Sequence, residues 1–336
     1  MAEHLDVLEL HRRWVIADAH ADSLMWNRDL NLASRRGHVD FPRLEAAGVK
    51  LQCFTIVTKG LPVVDGFGLL ARWNGWPARA RGSEWARCTF QLERLAEMCR
   101  LSAGKAAIVT TQDALDENLK AGRLSAVLGI EGAHALEGQV DRVAELHRRG
   151  ARFMSLTHLT NNELGGTSTP GFRDRPLSPL GREVLAAMAD CGMAVDLAHA
   201  SRAMLPELLE FRGRVFCSHA GMSGVHPMWR NLEDATLRAI AERGGVVGVI
   251  FAPQYLGGKT LADLVRHVKH AVDIMGEDGV ALGSDFDGLV PLPMEMRDAS
   301  DLPKVTQSLL DSGLALGVVE KVMGSNLWRF FGRLLH

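Results

Sequence analysis

The chain has 336 residues, 47% of them hydrophobic and 23% charged, with a formal net charge of −2. These proportions are ordinary for a globular protein, and the length fits one α/β barrel, which typically takes about 250 residues and can exceed 400 with insertions. Near-neutral charge with scattered Lys and Arg excludes a broad positive field for nucleic acid or an anionic membrane, and no stretch reaches the roughly 18 consecutive apolar residues of a membrane-spanning helix.

The N-terminal MAEHLDVLELHRRWV is charged and lacks the apolar core of a signal peptide. Short apolar, β-rich runs then recur at 15–22, 49–57, 124–132, 152–158, 193–199, 215–220, 245–253 and 280–287. Helical patterns separate them, at 141–149, 179–191, 232–243 and 261–275. That alternation predicts βα units and a parallel sheet, and eight runs is the number of a (β/α)8 TIM barrel. Most runs are too apolar to alternate strictly, which suits strands covered on both faces. Residues 1–336 read as one barrel domain with an excursion at about 59–105 and a C-terminal helix. The excursion contains Trp73, Trp76 and Trp85. Its first part, 59–77, carries Gly and Pro and is expected to form a loop over the barrel mouth, followed by a long helix at about 81–100. The closing NLWRFFGRLLH has the pattern of an amphipathic helix packed on the barrel rather than of a lipid-anchor signal. The five cysteines (Cys53, Cys88, Cys99, Cys191 and Cys217) are odd in number and form no CxxC pair, which argues against a disulfide framework and for a cytoplasmic protein.

Barrel enzymes place their reactive groups at the C-terminal ends of the strands, so the last residues of each run matter most. The first run ends in Asp18-Ala19-His20-Ala21-Asp22, where His20 and Asp22 are two apart and would share the interior face of a strand. An imidazole and a carboxylate so placed can hold one zinc, although Asp18 is an equally plausible polar neighbour. The third run ends at Glu131, a carboxylate costly to bury unless it meets a cation. Nearby His134 lies beyond that run and looks like a helix-start residue. The next three runs finish on His158, His199 and, one residue from the end, His219. One such histidine is usually a satisfied core residue. Three in equivalent positions, with HxD and Glu131, point to a metal centre. The eighth run brings Asp285 and Asp287, either of which could neighbour the metal or carry a proton. Asp285, nearer the packed strand, is the better held.

The segments DAHADSL, GIEGAHAL, SLTHLTNN, VDLAHAS, FCSHAG, WRNLED and GSDFDG resemble, in order from residue 18 to 288, the membrane (renal-type) dipeptidases of the amidohydrolase superfamily. SNLWRFF is similar to that family's closing helix. The resemblance implies two Zn2+ per chain, one on His20 and His/Asp partner Asp22, the second on His199 and His219, with Glu131 bridging. It implies that His158 sits over the scissile carbonyl, that Arg230 grips the substrate carboxylate, and that Asp285 meets the substrate amine or handles the proton. It further implies a metal-bridging hydroxide as nucleophile, dipeptide substrates (including those with a D-residue at the C-terminal position) and a homodimer. Tyr255, just after the seventh run, is a candidate pocket residue or a rim aromatic without a role. Two features depart from the family. The stretch Asn161-Asn162-Glu163-Leu164-Gly165-Gly166-Thr167 replaces its usual Asn and small-Asp-Ser/Asn pattern, and the secretion and lipid-anchor signals of vertebrate members are missing, as in a soluble bacterial-type member. No Lys ends the third, fourth or fifth run, so Glu131 rather than a carboxylated lysine would fill the bridging position. The competing readings are another binuclear amidohydrolase acting on a lactone, cyclic amide or phosphoester, and a non-catalytic metal-binding barrel.

Overall fold

The computed structural model describes residues 6–60 and 66–336. Its strands are β1 (Ile16–Ala21), β2 (Val49–Val57), β3 (Ala106–Ile108), β4 (Leu124–Glu131), β5 (Ala151–Ser155), β6 (Ala194–Asp196), β7 (Val215–Ala220), β8 (Val247–Val249) and β9 (Val280–Leu282). Eight of them run side by side, all parallel, in the order β1-β2-β4-β5-β6-β7-β8-β9. A parallel bridge between Ala21 and Phe286, with the Asp22 amide donating to the Phe286 carbonyl at 2.8 Å, closes the ring. Each of the eight apolar runs corresponds to one stave of this barrel.

The ninth strand, β3, is additional. It pairs with Leu124–Ala126 at the start of β4, below the stretch where β5 takes over. Three residues are too few to register as a periodic run. Several staves are also shorter than the runs that announced them. β5 stops at Ser155 and β6 at Asp196, so His158 and His199 stand three residues past their strands rather than on them.

Helices cover the outside of the barrel, and three of the expected patterns keep their bounds closely, as Arg142–Arg148, Pro179–Cys191 and Leu261–Met275. The fourth is Asp234–Glu242. Ser178 caps the helix Pro179–Cys191 by accepting from the Gly181 amide, and Gly192 ends it in the left-handed region. The excursion after β2 contains a helix, Gly66–Trp73, where a loop is expected from the Gly and Pro content, and then a long helix, Glu84–Leu101, capped by Ser83. Residues 61–65 of that predicted loop lie outside the described residues.

Inside the barrel, Leu51, Val127, Phe153, Phe216 and Ala281 meet Leu327, Phe330 and Phe331 of the C-terminal helix Asn326–Leu334 in one buried cluster. The amphipathic closing helix therefore plugs the bottom of the barrel. Phe216 lies edge-on to Phe153 at 5.0 Å and packs on Phe330 at 5.0 Å. Gly129 makes room for this layer, because a Cβ there would fall 2.0 Å from the Phe153 ring. All five cysteines are free, with Cys53 and Cys217 buried. Among the described residues, no helix is long and apolar enough to cross a membrane.

Candidate metal centre

Interior positions alternate along a strand, so the polar layer at the mouth follows from the apolar layer beneath it. On β4, Val127 is followed by Gly129 and then by Glu131, the last residue of the strand. Glu131 Oε1 lies 2.8 Å from His199 Nε2, 3.5 Å from His20 Nε2 and 3.5 Å from His219 Nε2, while its Oε2 lies 3.6 Å from His158 Nε2. Residues from β1, β4 and β7 and from the loops after β5 and β6 thus converge on one carboxylate. Gly132 permits the turn that follows, at φ +85°, where a Cβ would stand 2.9 Å from that of His158.

One-residue slips in pairing re-aim two of these side chains. β1 shifts register against β2 between Asp18 and Ala21, and β7 against β8 between Cys217 and Ala220. His20 and His219 thereby stack with ring centroids 3.7 Å apart, and the Ser218 hydroxyl sits between their Nδ1 atoms at 3.2 and 2.8 Å. Asp22, just beyond β1, approaches His20 Nε2 at 3.4 Å and accepts from the Thr55 hydroxyl at 2.6 Å.

Asp285 and Asp287 do not share a strand face. Both lie past β9 with positive φ, 61° and 65°, so the chain separates them. Asp285 joins His20 and Asp22. Asp287 is bound by Arg28 at 2.5 Å, by the Ser23 hydroxyl at 2.6 Å and by the His38 amide at 2.6 Å, away from the cluster. Asp18 is likewise elsewhere, accepting from Gln52 and from the Ser284 amide and hydroxyl. His134 bonds Thr160 at 3.0 Å. Its burial, then the neighbouring His158 and Lys59, push its pKa down to about 3.

Three groups offer ligand atoms within 4.8 Å of one another: His20, Glu131 and His219; Glu131, His158 and His199; and His20, Asp22 and Asp285. Imidazole nitrogen and carboxylate oxygen are the donors zinc accepts. The groups overlap through His20 and Glu131, so together they bring the residues of the implied pairs to one place.

The electrostatics call for positive charge. Asp22, Glu131 and Asp285 are all buried, and burial penalises each ionised form. Burial raises the Asp285 carboxyl well above its usual range, His20 opposes the rise, and the charges of Asp22 and Glu131 add to it. Burial works on Glu131 too, but the imidazoles of His158 and His20 outweigh it and hold Glu131 well below its usual range. His199 and His219 are driven well below theirs by burial, with Arg230 adding to the shift in both, which favours the neutral form that binds metal. Arg230 Nη2 donates to His199 Nε2 at 3.1 Å and to His219 Nε2, so a cationic group stands where these two nitrogens point. Glu131 Oε2 is buried without a hydrogen-bond partner. An orphaned carboxylate oxygen and a cation between the two imidazoles of His199 and His219 fit a site made for metal ions.

Residues 5–334 match the profile of the membrane dipeptidases, peptidase family M19. The chain belongs to this family. It is 34% identical over 222 residues to dipeptidase aclJ of Aspergillus oryzae, covering 64% of this chain and 53% of that protein. It is 31% identical over 254 residues to dipeptidase tcpJ of Claviceps purpurea, covering 72% and 59%. The matched part thus spans little more than half the length of these relatives. A metallopeptidase of Rhodobacter sphaeroides, crystallised with a phosphinate mimic of the dipeptide L-Ala-D-Ala, superposes with a TM-score of 0.82 at 23% identity, covering 95% of this chain and 99% of that one. That likeness shows a shared fold.

Above the cluster lies a cavity of about 510 Å³ whose wall includes Asp22, Glu131, His158, His199, Arg230, Tyr255 and Asp285. Tyr255 is nearly buried, edge-on to Trp229, with the Arg230 guanidinium 5.6 Å above its ring. The departure from the family pattern after His158 is a tied loop. Thr167 donates to the His158 carbonyl and bridges to Ala200, and Asn161 accepts from the Thr167 amide at 2.8 Å. Two polar supports, Thr55 and Ser218, were not among the residues the sequence singles out. For Ser218 the signal is a hydroxyl in an otherwise apolar strand, one step before a candidate ligand, whereas Thr55 in β2 carries no such mark.

Proposed function

We propose that this member of the dipeptidase family is a zinc-dependent dipeptidase, and the observation that carries the reading is the convergence of His20, Asp22, His199, His219 and Asp285 around Glu131 beneath one cavity. His20, Asp22, Glu131, His199 and His219 would hold two Zn2+. Bound there, the metal pair supplies Lewis acidity and a nucleophile active near neutral pH. Arg230 anchors the substrate carboxylate by its planar fork, which fixes register, and Tyr255 borders that end. His158 faces the amide carbonyl and donates to the oxygen as negative charge develops, a contribution of about 3–4 kcal/mol for one well-placed donor. Asp285, beside His20 and Asp22, carries the proton to the leaving amine. Dipeptides with a D-residue at the C-terminal position belong to the same proposal, as do a homodimer and a cytoplasmic location, the latter supported by unpaired cysteines.

The test is turnover of a dipeptide panel, with L- and D-residues at the second position, by zinc-loaded protein. Hydrolysis is expected, and silence on every member would sink the reading. In parallel, Asp285→Asn should abolish turnover while metal content, measured by elemental analysis, stays at the wild-type level. Unchanged activity would remove the proton role from Asp285.

A further inference from the structure

The wall of the cavity is not uniform around the barrel. In stave order, β2 is the second and β7 the sixth of eight, so the segments that follow them stand on opposite sides of the mouth. The β7 side carries Arg230. The β2 side is apolar: Val57 at the strand end and Phe67 and Leu70 of the helix Gly66–Trp73, with Met25 after β1 and Leu159 after β5 flanking them. Among the described residues lining this arc none is ionisable. Two cations lie nearby but face away from the cavity: Lys59 turns to Glu84 at 3.4 Å, and Arg87, 5.7 Å from the Phe67 ring centroid, donates to the Thr58 and Arg81 carbonyls. Phe67 is fixed from behind, edge-on to Trp76 at 5.8 Å, whereas Leu70 is only half-buried and has room to meet a ligand.

Resting on the dipeptidase reading, we infer that Leu70 and its apolar neighbours select the substrate's first residue, favouring dipeptides whose N-terminal side chain is large and apolar. With the carboxylate at Arg230 and the amide over Glu131 and His158, the second residue occupies the β7 half of the mouth. The first residue lies across the ligand cluster, its amine toward Asp285 and Asp22 on the β9–β1 side. Its side chain then has one open direction, toward the β2 arc. There it removes apolar surface from water on both partners, while a charged side chain loses hydration against a lining whose described residues carry no charge.

The experiment compares kcat/KM for Leu-Ala, Phe-Ala, Gly-Ala, Asp-Ala and Lys-Ala. The expected result is a preference of roughly ten-fold or more for Leu-Ala and Phe-Ala over each of the others, the scale on which apolar pockets discriminate. Leu70→Ala should lower the Leu-Ala to Gly-Ala ratio, and Leu70→Arg should raise the Asp-Ala to Leu-Ala ratio. The ratios separate selection from a general loss of structure, which would lower all substrates together. Equal rates across the wild-type panel, or ratios unmoved by both substitutions, would overturn the inference while leaving a dipeptidase. No turnover of any dipeptide would remove both readings.

Discussion

On β5, Phe153 packs into the aromatic plug at the bottom of the barrel, and two residues on Ser155 supports the Gly132 amide at the mouth; on β7 the same step leads from Phe216 to Ser218. On β2 it leads from Cys53 to Thr55, and on β4 two such steps lead from Val127 to Glu131. The lower layer is held by burial alone and closed by Phe330 and Phe331. The upper layer gathers three buried carboxylates, four imidazoles and a guanidinium, with His199 and Asp285 in the left-handed region at φ 65° and 61°. Backbone of that kind is maintained only where the surroundings hold it. A rigid apolar floor is what lets a charged, strained roof keep its geometry.

If the two layers are separable, damage to each should read out differently. The largest effect is expected at Glu131, on which all four histidines close. Glu131→Gln should lower turnover by about 10³-fold or more and metal content below that of wild type, because the shared anionic oxygen is gone. Full metal content with near-normal turnover would show that the roof does not depend on its central carboxylate. Next comes the floor. Phe331→Ala removes a fully buried ring from the plug and should cost about 3–5 kcal/mol of stability, seen as a lowered Tm or denaturation midpoint. The folded fraction should keep its kcat/KM. A fall in kcat/KM without a change in Tm would mean that the floor shapes the roof directly.

The sequence makes the floor and the frame legible for a physical reason. Strands covered on both faces leave continuous apolar runs, and all eight staves are visible that way, as is the closing helix. The candidate ligands are legible because ionisable residues at the ends of apolar runs are rare. Resolution is lost where backbone departs from regular structure. A strand reading puts Asp285 and Asp287 on one face, but positive φ at both sends Asp287 to Arg28. It also puts His158 and His199 on strands that have already ended. The helix Gly66–Trp73 is hidden by glycine and proline content in its neighbourhood, and β3 by its length. Thr55 is hidden differently: threonine suits any strand, so its presence in β2 carries no alarm.

Thr55 marks the boundary between the layers, and a third substitution locates it. Its hydroxyl lies 2.6 Å from Asp22 Oδ1, 3.0 Å from the Ala21 carbonyl and 3.3 Å from His20 Nε2. A hydroxyl has one hydrogen, and the shortest contact assigns it to Asp22, whose carboxylate it orients. Thr55→Val keeps the shape and removes that donor. If Thr55 belongs to the roof, metal affinity measured against a competing chelator should fall by about 10- to 100-fold, the usual loss when a hydrogen bond to a ligand is removed. Stability without metal should change by only about 1 kcal/mol. The reverse pattern, with affinity retained and metal-free stability lowered, would move Thr55 into the floor and leave Asp22 oriented by its contact with His20.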